Sequence, residues 1–120
     1  MQLDYLLFDF SDEETGAGSF DAMASVLPDR LPALLREVEA VLQWTHRRFG
    51  PPAASADAAG WDFDLQGTDD AGAPLGIAYD AARGQARLQA PPSGRTTLSL
   101  TLSGPGTFCD AFRDAFPEPE

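Results

Sequence analysis

Between Pro28 and Gly50 apolar residues recur at helical spacing, and both ends of the repeat carry residues that stop a helix. Leu31, Leu34, Leu35, Val38, Leu42, Thr45 and Phe49 fall on one side of a 3.6-residue period, which predicts an amphipathic helix over 32–48. Pro28 and Pro32 suit its start, Gly50 suits a left-handed cap, and Pro51-Pro52 forbid continuation. Arg47 and Arg48 sit where the helix dipole favours cations. A helix with one apolar stripe must bury it, so the rest of the chain has to supply a second layer.

That layer reads as strands. Leu3 to Phe10 is rich in aliphatic and aromatic residues, with Leu6, Phe8 and Phe10 facing one way and Tyr5 and Leu7 the other. The segment 19–27 fits both periods: Phe20, Ala22, Ala24 and Val26 alternate, while Phe20, Met23 and Leu27 share a helical face. Taken as a strand, it closes a hairpin over an acidic loop. Trp61, Phe63 and Leu65 alternate with Asp62, Asp64 and Gln66. Turn-forming runs at 69–72, 81–84 and 91–94 then separate three more apolar sets, Leu75/Ile77/Tyr79, Ala86/Leu88/Ala90 and Leu98/Leu100/Leu102. Thr107 is placed to cap a last helix whose Phe108, Phe112, Ala115 and Phe116 share a face.

The expected fold is α+β: a single antiparallel sheet of five or six strands with two helices packed on one face. In chain order it is an N-terminal strand or hairpin, the long helix, a four-strand meander and a C-terminal helix. Residues 1–116 form one domain and 117–120 a loose tail.

Charge narrows the partners. The formal charge is −11, which opposes binding to nucleic acid or to an anionic membrane, since both need cations to displace counterions. Cys109 is the only cysteine, so neither an intrachain disulfide nor a cysteine-rich zinc site can form. With no basic residue before Arg30 and no apolar run of bilayer length, a cytoplasmic location is expected. All the basic side chains apart from His46 are arginine, and lysine and asparagine are absent, a bias expected of a GC-rich bacterial genome.

Several residues invite a chemical reading. Asp9, Asp12, Glu13, Glu14 and Asp21 cluster without a basic neighbour and offer oxygen ligands to a hard cation, although their spacing fits no EF-hand. Without that cation they form a solvated loop. Asp62, Asp64, Asp69 and Asp70 are a second acidic set, with Arg87 as an expected cross-strand partner. His46 reads as a surface histidine beside the arginines, and Cys109 as a small buried thiol in the first turn of the last helix. The Gly104-Pro105-Gly106-Thr107 turn precedes a helix but lacks the lysine and spacing of a P-loop.

The stronger signal is apolar residues placed outside the expected core. Trp44 lies off the leucine stripe with Val41 at its edge, and Tyr5, Leu7 and Ala78 point to the outer side of the sheet, making these five the interface candidates. Packing of the last helix against Trp44, and the hydroxyls on the sheet, would remove that patch. The leading expectation is a non-enzymatic domain that binds an unknown protein partner or forms a homodimer, with no cofactor. A small enzyme or ligand binder using a cation at the acidic hairpin, and an acidic decoy for a basic partner surface, are the alternatives.

Overall fold

The structure, a computed structural model, describes residues 3–12, 16–50, 60–89 and 94–117. Along the chain these form β1 (Asp9–Asp12), β2 (Gly18–Val26), α1 (Leu31–Phe49), β3 (Asp62–Thr68), β4 (Pro74–Leu75), β5 (Ile77–Asp80), β6 (Gln85–Leu88), β7 (Thr96–Gly104) and α2 (Gly106–Ala115). The fold is α+β, with an antiparallel five-strand sheet in the order β1-β2-β7-β3-β4 and a separate β5–β6 hairpin.

The expected meander is not formed, because β7 inserts between β2 and β3. Its length explains the choice. Nine residues of β7 pair with all nine of β2, and seven pair with β3, whereas β5 and β6 have four residues each. A nine-residue strand with a partner on each side satisfies most of its backbone groups at the centre. Its alternation suits that position: Leu98, Leu100 and Leu102 are fully buried on one face, and Thr97, Ser99 and Thr101 stand on the other. Antiparallel to the same strand, β2 and β3 run parallel to each other, and α1 is the crossover joining them.

Leu31, Leu34, Val38, Val41 and Leu42 of α1 meet the apolar sheet face, and Thr45 among them is satisfied by donating to the Leu42 carbonyl (2.9 Å). Gly50 ends the helix at φ 81° and ψ −168°, a conformation that only glycine adopts readily. In α2, Phe108, Cys109 and Phe112 are buried against the same face. Two glycines let this helix approach. Gly18 and Gly104 are cross-strand partners, and a Cβ would come within 3.1 Å of Cys109 Sγ at the first and within 2.7 Å of Phe108 at the second. Thr107 is not the cap: Pro105 occupies that position, and exposed Thr107 lies inside the first turn.

The N-terminal expectation is corrected as well. Only Asp9–Asp12 joins the sheet, while 3–8 runs outside it as a strap against α1. The Glu37 carboxylate accepts hydrogen bonds from the backbone N–H groups of Asp4 (2.8 Å), Tyr5 (3.0 Å) and Leu6 (3.0 Å). Donors held by a side chain are not free for a ladder, and Leu6 is buried beneath them. The hairpin departs from the sheet after β4. Gln89 N–H donates to the Gly76 carbonyl (2.8 Å), and β6 docks on α1 through Ala86 N–H to Glu39 Oε2 (2.9 Å). Expectations for Pro51-Pro52, Ala90 to Ser93 and the tail 118–120 lie outside the described residues.

Candidate functional site

Both helices cover one face of the sheet, and the register arranges the other in rows. Asp9 pairs with Asp21, Asp21 with Thr101, and Thr101 with Asp64, so three carboxylates and a hydroxyl cross four strands in line. With strands about 4.8 Å apart, the row is about 14 Å long. The neighbouring row is Ser11, Ser19, Ser103 and Asp62, and on the other side stand Met23, Ser99 and Gln66. None of these positions carries a cation. Arg95 touches only the far end, donating to the Ser25 carbonyl (3.1 Å).

The row is partly braced. Thr101 Oγ1 donates to Asp21 Oδ1 (2.7 Å), and Gln66 Nε2 donates to Asp64 Oδ2 (2.8 Å). Asp9 faces Asp21 with no such bridge, and two like charges directly opposite on a sheet destabilise it by roughly 0.2–1 kcal/mol. Among the described residues Met23, 69% exposed, is the one large apolar side chain in these rows. The face is therefore acidic and rich in hydroxyls, where an apolar patch was expected.

The five interface candidates do not converge. Val41 has no exposed surface, and Trp44 is half-buried edge-on against Phe112 and Phe116, with centroids 5.9 and 5.4 Å away. Tyr5 and Leu7 belong to the strap, Leu7 being 58% exposed, and Ala78 lies exposed on the β5–β6 hairpin. Of the cation candidates, Asp9 and Asp21 share the open face, Asp12 pairs with Gly18 on the opposite one, and Glu13 and Glu14 lie outside the described residues. Among the described residues no group of three acidic, histidine or cysteine side chains is arranged to hold a metal.

His46 is not a free surface histidine. It is half-buried, edge-on to Trp61 at 5.0 Å and tilted against Tyr79 at 5.2 Å. Its Nδ1 lies 2.7 Å from the Leu42 carbonyl, which only accepts, so Nδ1 carries the hydrogen. Cys109 is buried as expected, and burial followed by the Asp110 charge pushes its thiol above the ordinary range, a setting opposed to nucleophilic chemistry. Arg87 pairs with Gln85 on its own strand, so the expected bond to Asp62 or Asp64 is not formed. Asp69 instead closes its own turn, accepting from Ala71 and Ala73.

Compared with known protein families, curated proteins and solved structures, the chain matches none. Among the described residues no helix is long and apolar enough to cross a membrane. The alignment of Asp9 and Asp21 with Asp64 escapes sequence reasoning because it depends on β7 lying between their strands. Glu37 escapes it because a bond from a side chain to a distant backbone leaves no periodic trace.

Proposed function

We propose that this chain is a non-enzymatic, cytoplasmic protein-binding domain whose open sheet face docks a lysine- and arginine-rich surface of another protein. The Asp9–Asp21–Asp64 row carries the reading. It gathers carboxylates from three strands, with one like-charge pair held in register at a cost to the fold. Cations from a partner relieve that cost, and complementary charge steers encounter and fixes orientation. The surrounding hydroxyls supply hydrogen bonds, and Met23 an apolar contact at the centre.

A second copy of the chain is disfavoured as the occupant. Stacking two such faces sets carboxylates against carboxylates. Edge-to-edge pairing is also poorly served, because β1 is short with an aspartate at each end and β4 has two residues, one of them Pro74.

The test is a titration of the ¹⁵N-labelled chain with a deca-arginine peptide, using a glycine-serine peptide of equal length as the control. The expected result is saturable amide shifts concentrated in β1, β2, β3 and β7. Equal shifts at carboxylates throughout the molecule would reduce the effect to general screening and remove the proposal.

A further inference from the structure

A groove of about 490 Å³ lies between the last turns of α1 and the β5–β6 hairpin, away from the open face, and its lining holds two arginines and no carboxylate, with Glu39 and Asp80 close to its Tyr79. Gln43, His46 and Arg47 line one wall, at spacings that put all three on one side of the helix. Tyr79, Arg83 and Gly84 line the other. The walls are tied together by Gln43 Nε2 donating to the Gly84 carbonyl (2.7 Å) and by the Glu39–Ala86 bond one turn earlier. Gly84 permits that approach: its φ is +65°, and a Cβ there would meet Gln43 at 2.8 Å.

Hydrogen-bond donors dominate the lining. Arg47 makes no ion pair among the described residues, and Arg83 meets only Asp80, at 3.8 Å in an exposed pair of little energy. The Tyr79 hydroxyl is held as a phenol, because burial, then Glu39 and Asp80, push its ionisation above the ordinary value. The His46 ring is fixed by its bond to Leu42 and by the neighbouring rings, so it presents a rigid aromatic surface next to Tyr79.

Two guanidinium forks call for a carboxylate, which they bind in bidentate geometry. The His46 and Tyr79 rings pack against each other at 5.2 Å and give one aromatic surface, which suits a flat ligand. The chain's overall negative charge repels polyanions, which leaves a single charge. The volume lies within the range of small-molecule sites. We propose that this groove binds a small planar monocarboxylate, an aromatic acid, with its ring against His46 and Tyr79 and its carboxylate on Arg47 and Arg83.

The test is an amide-shift titration of the full chain with benzoate into the millimolar range, with benzamide and acetate as controls. Benzamide keeps the ring and loses the charge; acetate keeps the charge and loses the ring. The expected result is saturable shifts confined to residues 43–47 and 79–84, with benzamide weaker by about tenfold or more through loss of the charge-assisted contact, and acetate weaker through loss of the ring contact. Arg47→Gln/Arg83→Gln should abolish them while leaving the rest of the spectrum in place. A linear, unsaturated response to benzoate, equal binding of benzamide, or undiminished binding by the double variant would each overturn the proposal.

Discussion

Replacing Glu37 by Gln separates the strap from the rest of the fold. One carboxylate accepts from three consecutive N–H groups, with Tyr5 shared between both oxygens (3.0 and 3.2 Å). Gln keeps one acceptor oxygen and turns an amide donor toward the remaining N–H groups, so one to two charge-assisted bonds are lost. Each contributes roughly 1.5–3 kcal/mol when shielded and less when exposed; the bond to Asp4 is exposed, so about 1.5–3 kcal/mol in total is expected. Leu6, 2% exposed, keeps its apolar burial, so the loss appears as local opening and not as global collapse. Native-state hydrogen exchange reads it directly: the Tyr5 and Leu6 amides should lose about 10- to 150-fold protection, while those of β7 keep theirs. Protection of Tyr5 and Leu6 unchanged within a factor of two would mean that those N–H groups are satisfied elsewhere than at Glu37.

Gly104→Ala should cost about 1–3 kcal/mol in urea unfolding, because the added methyl overlaps the Phe108 ring; an unchanged midpoint would mean α2 sits farther from the sheet. Trp44→Ala should lower stability by about 2 kcal/mol, less than a fully buried aromatic, since the ring is half-buried against Phe112 and Phe116; no loss would return Trp44 to the surface. Cys109 should react with a thiol reagent only as fast as the domain opens, and rapid reaction at neutral pH would contradict its burial. Its raised ionisation, like that of Tyr79, means the native state holds protons that the unfolded chain releases. These two groups therefore give their full stability below their unfolded pKa values, and it is lost as pH rises toward the folded ones, which an alkaline series of urea unfolding curves checks.

The local elements were legible wherever one physical pattern dominated. The α1 stripe between its prolines and Gly50 predicted a helix over 32–48, and Leu31–Phe49 is observed. Leucines alternating with hydroxyls marked β7 for the same reason, since one face is buried and the other wet. Pairing was not legible. Nothing local to 96–104 states that it pairs with 18–26, and adjacency in sequence favoured the meander that the longer β2–β7 ladder displaces. Helical spacing puts Val41 near the edge of the Trp44 side, whereas α2 packs on Trp44 and Val41 has no exposed surface. The two acidic clusters, read separately, meet on one face only through β7. Periodicity puts Tyr5 and Leu7 on the outer side of a strand, whereas the Glu37 bonds to the Tyr5 and Leu6 N–H groups hold this segment outside the sheet.

In the proposed function the open face, and not net charge alone, recognises a basic partner. Two triple variants with the same change in formal charge separate these: Asp9→Asn/Asp21→Asn/Asp64→Asn on the face, and Asp29→Asn/Asp70→Asn/Asp114→Asn at exposed positions elsewhere. The deciding measurement is the ratio of their affinities for the deca-arginine peptide, by calorimetry at one fixed salt concentration. With each surface charge contributing roughly 0.2–1 kcal/mol, the face variant should bind about 3- to 150-fold more weakly than the control variant. Equal affinities would mean that net charge alone sets the binding and that the open face has no part in it.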